Sequence, residues 1–254
     1  MYHDTFESGA NEPILVTGLE EQSGDYGDYV VKLRASERMD NSAFFKELLA
    51  AFMAMELGIP VVKPVVVNIE RDFADAMLGK ECYRRLQQSI GLNFGSQYIR
   101  QHIAISKEGG LMERQLEKAI DIFWFDLLIQ NPDRTLEKQN LFSVGEEIVI
   151  FDHELAFSFV NLIGGDKEPW IITKEKVGNW NQLILPPKLR RREMNYEHIS
   201  EKLSRLDGAF WEKVENLMPG DWMTKYYFDK IRAHIDSVQN NKKAFIDNIQ
   251  KLLL

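Results

Sequence analysis

The sequence predicts an α+β fold in two parts, a strand-rich first third organised around one helix and a mainly helical remainder. Three observations predict it. Two β-branched runs near the N-terminus flank a loop carrying Gly18, Gly24 and Gly27. A dense run of helix formers begins near Ser42, and from Tyr196 onward apolar residues recur at helical intervals to Leu254. The 254 residues can bury roughly 70–75% of the surface exposed by the unfolded chain, so one large domain or two lobes sharing a cleft are both feasible.

Residues 13–19 (PILVTGL) and 29–33 (YVVKL) read as the strands of a hairpin with a wide turn. Because side chains alternate along a strand, Tyr29, Val31 and Leu33 share one face, and Val30, Lys32 and Arg34 the other. With Ser42 as N-cap, SAFFKELLAAFMAMELG is a helix whose Phe45, Leu48, Phe52 and Met55 follow helical spacing, and Gly58 and Pro60 end it. Residues 61–69 (VVKPVVVNI) form a strand, and Pro64 assigns it to an edge or a bulge. The stretch to Ile90 has no clear period, and residues 94–99 (FGSQYI) read as a short extended connector. Leu116, Ile120, Phe123 or Trp124, and Leu127 trace an apolar stripe that predicts a helix over 111–130, ended by Asn131-Pro132. Two short strands around Gly145 and a Gly- and Pro-containing stretch to Pro187 lead into the C-terminal helices.

Charge and cysteine content narrow the function classes. With 31 Lys plus Arg against 39 Asp plus Glu, the net charge of -8 argues against broad binding to nucleic acid or to a membrane surface. The basic run KLRRR at 188–192 is an exception, read as a solvated surface or a dock for an acidic partner. The single cysteine, Cys82, cannot close an intrachain disulfide. MYHDTFESGA lacks the features of a signal peptide, and no apolar run approaches the ~18 residues of a membrane span. These features together predict a cytoplasmic protein.

The chemistry concentrates in NPDRTLEKQNLFSVGEEIVIFDHELAF, residues 131–157. Asp133 stands just beyond a helix end, Asn140 at the start of a strand, and Asp152 at the end of the returning strand. Pairing LFSV with IVIF around Gly145 and Glu146 sets opposed residue numbers summing to about 292, which brings Asn140 opposite Asp152. An amide oxygen and a carboxylate converging in this way suit Mg²⁺, a hard cation that keeps waters and takes few protein ligands. Asp133 is placed to accept a proton from a hydroxyl nucleophile.

These motifs, together with YVVK ending at Lys32, KELLAAFMAMELGIP around Glu47 and FGSQYI from Phe94, resemble the HipA-like kinases over most of residues 14–157. That family comprises bacterial serine/threonine kinases, among them toxins of toxin-antitoxin pairs. The resemblance implies a two-lobed protein-kinase-like fold, with a small β-rich lobe over about 1–92, a hinge over about 93–99 and a larger helical lobe over about 100–254. It implies that Lys32 neutralises ATP phosphates, that Glu47 orients Lys32, that Asp133 is the catalytic base, and that Asn140 and Asp152 hold magnesium. Gly95, Ser96, Gln97 and Tyr98 would meet the adenine. A protein substrate and an antitoxin-like protein partner are implied in the same way. Three departures stand out. Thr135 replaces a usual His, and Asn140 lies seven residues beyond Asp133 where many relatives have five. The loop GLEEQSGDYGDY before Lys32 is acidic, and FDHE replaces Asp-Phe-Gly.

Other readings compete with this one. A kinase fold can serve small-molecule acceptors, and the acidic loop with the lengthened catalytic loop also suits a degenerate-site interaction module. A metallohydrolase reading of His153 and Glu154 lacks convergent histidines, since His3, His102, His198 and His234 show no ligand spacing. Arg134 is read either as a salt-bridge residue or as a phosphate or loop contact. Ser23, in the acidic loop, is an autophosphorylation candidate by analogy alone.

Overall fold

The computed structural model describes residues 1–6, 11–163 and 165–254. Residues 7–10 of the N-terminal stretch and Gly164 of the Gly- and Pro-containing stretch lie outside the described residues. The N-terminal part carries β1 (Tyr2–Thr5), β2 (Ile14–Leu19), β3 (Tyr26–Lys32), α1 (Asn41–Glu56), β4 (Pro64–Ile69), α2 (Arg71–Ala76), α3 (Tyr83–Gln88) and β5 (Gly91–Gln97). The rest carries β6 (Ile103–Ala104), α4 (Glu113–Leu128), β7 (Leu141–Val144), β8 (Glu147–Ile150), α5 (Lys174–Val177), α6 (Leu185–Lys188), α7 (Tyr196–Leu203), α8 (Gly208–Leu217), α9 (Lys225–Asn240) and α10 (Lys242–Leu253). The predicted α+β class stands. Among the described residues, no helix is long and apolar enough to cross a membrane.

The five-stranded antiparallel sheet runs β1-β2-β3-β5-β4, so Pro64 does lie on an edge strand, as its missing N–H requires. One face of this sheet buries Ile14, Val16, Val31 and Leu33 with Ala74 of α2 and Leu86 of α3. The opposite face looks onto α1, which belongs to the large core continuing through α4 to α10. Helix α1 is buried on most sides rather than along one stripe; Phe44, Leu48 and Met53 are buried, while Met55, expected on the apolar face, is 53% exposed. Its N-cap is Asp40, whose side chain accepts from Ala43 N at 2.8 Å, in place of the predicted Ser42. The connector read at 94–99 is mostly strand. β5 pairs with both β3 and β4, and Lys32 faces Phe94 in that register.

Candidate active site

Lys32 ends β3 on the face turned away from Val31 and Leu33, as strand alternation predicts, and there meets Glu47 of α1. Its ammonium also donates to Asp152 Oδ1 at 2.6 Å and to Glu154 Oε2 at 3.2 Å, so all three N–H groups are spent on carboxylates. Burial alone would push Lys32 toward neutrality, but Glu47, Asp152 and Glu154 override it and hold the ammonium charged. Burial pushes Glu47 up to about 7, aided by the nearby Asp152 charge and opposed by Lys32. Asp152 goes the other way. Despite its burial, Lys32 and Lys138 hold its carboxyl well below the usual range.

Local backbone geometry sets these positions. Gly145 (φ 59°) turns β7 into β8 with Val144 opposite Glu147 and Leu141 opposite Ile150, so paired numbers sum to 291, one less than expected. Asn140 consequently faces Phe151, whose N–H donates to the Asn140 carbonyl at 3.1 Å, and Asp152 lies one residue beyond the hairpin. β8 is held on its other side by the segment after α1, through Val62 N to Ile150 O and Ile150 N to Pro60 O, both 3.0 Å. Asn140 (φ 50°) and Asp152 (φ 61°) both adopt the left-handed conformation, which Asn and Asp tolerate better than other non-glycine residues. The turn at Asp152 brings the His153 N–H to Glu47 Oε2 at 2.8 Å, a direct tie between α1 and the end of the hairpin.

Asp133 sits in a loop anchored from beneath. Arg134, 2% exposed, grips Asp126 of α4 with two hydrogen bonds, Nε to Oδ2 at 2.7 Å and a terminal nitrogen to Oδ1 at 3.1 Å, and also donates to the Asn140 carbonyl. This resolves the role of Arg134 as a buried structural clamp of the loop. The Asn131 amide donates to Asp126 Oδ1 at 3.0 Å, and its oxygen accepts from Asp133 N at 3.2 Å, an Asx-type turn that sets the backbone of Asp133. Farther on, Thr135 N donates to Lys138 O at 2.8 Å, and Lys138 N to Thr135 Oγ1 at 3.0 Å. The lengthened loop is thus closed by a compact turn. That turn places the Lys138 ammonium between Asp133 and Asp152, bonded to Oδ2 of the first and 3.3 Å from Oδ2 of the second. The Asn140 amide donates to Asp133 Oδ2 at 3.0 Å, which leaves its own oxygen for a cation.

These groups border a cavity of about 730 Å³, within the range of sites for nucleotide-sized ligands. Lys32, Glu47, Ser96, Gln97, Tyr98, Asn140 and Asp152 line it, with Val30, Phe94, Leu141 and Phe151 supplying apolar walls. Asp133 stands just outside the lining and joins it through Lys138 and Asn140. Gly95 does not line it either, because that residue faces the β4 valines on the other side of the sheet. The N–H groups of Gln97 and Tyr98 are already committed, to Lys63 O at 2.9 Å and Asp28 O at 2.8 Å. The basic run at 188–192 is partly structural, since the Lys188 ammonium donates to the carbonyls of Ser106 and Gly109 at 2.6 Å each.

Sequence reasoning missed Lys138, Glu154 as a partner of Lys32, and Asn11, whose amide donates to Glu154. A signal existed for two of them. Glu154 lies two residues from Asp152 in a motif already singled out, and Lys138 is a cation inside the lengthened loop.

A lysine-glutamate pair between sheet and helix, reaching across a cleft to the aspartate beyond a hairpin, defines the class as a kinase fold. The chain belongs to the HipA-like kinase family, whose family model matches residues 4–245. Among solved structures the chain is similar to the crystal structure of a Helicobacter pylori proinflammatory kinase, CtkA, at 12% identity over 98% of this chain and 93% of that one, with a TM-score of 0.51. At that identity the likeness is one of fold. No curated protein matches the chain.

Proposed function

We propose that this protein is an ATP- and magnesium-dependent kinase that phosphorylates serine or threonine hydroxyls of a protein. One observation carries the proposal. Lys32 and Lys138 join Glu47, Asp152 and Asp133 into one connected set of charges beside a nucleotide-sized cavity. The donor set fits magnesium, since the Asp152 carboxylate and the free Asn140 amide oxygen are hard oxygen ligands. Bound there, the metal would neutralise charge on the β- and γ-phosphates.

The chain's own residues supply the remainder. The apolar walls at Val30, Phe94, Leu141 and Phe151 take the base, with polar contacts left to side chains and carbonyls near 96–99 because the N–H groups of Gln97 and Tyr98 are engaged. A phosphate oxygen reaches Lys32 by replacing Glu154, the longest of its three contacts. Asp133 orients the acceptor hydroxyl and receives its proton, with its backbone held by Asn131 and Arg134. The lobe boundaries near 92 and 99 belong to the same reading, with the hinge formed by the end of β5 and the residues after it. An antitoxin-like partner is part of the same proposal, suggested by the resemblance alone, and is tested by co-purification with proteins encoded nearby.

The deciding experiment incubates the protein with γ-labelled ATP, magnesium and a cell extract. Label is expected on protein, and Asp133→Ala should lower transfer by about 100- to 10,000-fold, the usual contribution of a general base. Label confined to a soluble metabolite would assign a small-molecule acceptor instead. Transfer unaffected by both Asp133→Ala and Asp152→Ala would overturn the residue assignment.

A further inference from the structure

We propose that Lys138 is a catalytic residue that holds the γ-phosphoryl group during transfer. The inference rests on the phosphotransfer reading above and adds a residue that neither the motif nor the family resemblance singled out. Lys138 lies in the loop between α4 and β7, five residues after Asp133 and two before Asn140. The turn closed by Thr135 fixes its backbone, and its side chain borders the cavity.

Two features favour Lys138 over Lys32 for this task. First, an ammonium has three donors. Those of Lys32 are all committed to carboxylates, whereas Lys138 serves Asp133 and Asp152 and keeps one. Its side chain is 42% exposed against 12% for Lys32, so the spare donor has access to the cavity. Second, the position matches the chemistry. The transferred group must lie between the base that receives the acceptor's proton and the carboxylate on the metal side, and the Lys138 ammonium sits between those two carboxylates.

Burial would lower the ammonium's pKa, but Asp152 and Asp133 raise it on balance, so the group remains a cation. In the reaction, a bond forms from the acceptor oxygen to the γ-phosphorus as the bond from that phosphorus to the β–γ bridging oxygen breaks. The electron pair of the broken bond leaves with ADP, and the acceptor's proton passes to Asp133. Lys138 gives up no proton. Its spare donor meets an equatorial phosphoryl oxygen, where negative charge is spread in the transition state.

The test compares wild type, Lys138→Met and Lys138→Arg in three measurements, namely label transfer, ADP affinity, and affinity for a non-hydrolysable ATP analogue, each with magnesium. In Lys138→Met, kcat is expected to fall about 100- to 1,000-fold, the cost of removing one donor to developing charge. Its ADP affinity should hold within about twofold while the analogue loses its advantage over ADP; Lys138→Arg should recover at least part of kcat. A purely structural clamp between Asp133 and Asp152 would weaken both nucleotides alike. That outcome, or an unchanged kcat in a wild type that does transfer label, overturns the assignment alone. A wild type that binds neither nucleotide overturns the phosphotransfer reading and this assignment with it.

Discussion

Two buried charge clusters in this chain look alike and do different work. In the helical part, Asp121 of α4 is fully buried and accepts from Lys202 of α7 at 2.6 Å and from Trp124 and His198 at 3.1 Å each. One carboxylate meets one ammonium, and none of these four residues lines the large cavity. Around Lys32 a single ammonium meets Glu47, Asp152 and Glu154, whose oxygens lie within 4.8 Å of one another beside the cavity. The first cluster is balanced and closed. The second carries excess negative charge and opens on space. The comparison teaches that burial and pairing do not by themselves mark a site, whereas imbalance facing a cavity does.

The largest effect should come from unbalancing the closed cluster. Lys202→Met leaves Asp121 buried without its cation and is expected to cost about 3–5 kcal/mol, read by denaturant unfolding, with nucleotide affinity of the folded protein unchanged. A loss below about 1 kcal/mol would place this pair with surface ion pairs and erase half of the comparison.

The open cluster should respond less in stability and more in activity. Asp152→Ala removes a carboxylate that Lys32 and Lys138 both hold ionised, so the unfolding midpoint in the absence of nucleotide should fall, but by less than in Lys202→Met, because Glu47 and Glu154 still pair Lys32 and Asp133 still pairs Lys138. Phosphoryl transfer should nevertheless fall by about 100-fold or more, since the carboxylate proposed to hold magnesium is gone. Destabilisation on the scale expected for Lys202→Met would show that the two clusters are not different in kind.

Much of this candidate site was legible because its residues lie in short, directional motifs. Lys32 follows from strand alternation, and Asp133, Asn140 and Asp152 from a helix end and a hairpin. The hairpin register was misplaced by one, because the two-residue turn at Gly145 and Glu146 pairs Val144 with Glu147. What the sequence hid depends on tertiary contacts. Asn93 and Gly95 weaken the strand signal of β5, yet β3 and β4 pair with it from both sides and override local preference. Tyr2–Thr5 is too short and polar to announce β1, and the six-residue α2 and α3 are too short to show a period. Asn11 reaches Glu154 across 143 positions of chain, a distance that no spacing rule spans.

Acidity separates the two parts more gently. Glu47, held at about 7 in the fold against an ordinary 4.5, binds a proton that the unfolded chain releases. Its contribution to stability is present below about 4.5 and fades as pH rises toward 7. His234 of α9 has the opposite sign. Burial lowers it to about 4 from 6.5, although its hydrogen bond to Leu128 O favours the proton. Its contribution is therefore present above 6.5 and lost as pH falls toward 4, by at most about 3 kcal/mol. In unfolding curves at pH 4.5, 5.5 and 6.5, Glu47→Gln should make stability climb more steeply with pH than in wild type, while His234→Gln should flatten or reverse the climb. Parallel curves for both variants would show that neither group is perturbed as its surroundings require.

The smallest effect tests where the site ends. Gly95 was expected to meet the nucleotide, but it sits between β3 and β4 with its open side against valines. An added Cβ would lie 2.9 Å from Val67 Cγ2, 3.1 Å from Val65 Cγ2 and 3.3 Å from the Val30 carbonyl. β-Branched methyls and a backbone oxygen yield little, so Gly95→Ala should cost about 1 kcal/mol, the low end for overpacking. Nucleotide affinity should stay within about twofold, because only packing behind the cavity wall has changed. Loss of affinity without loss of stability would move Gly95 back into the site.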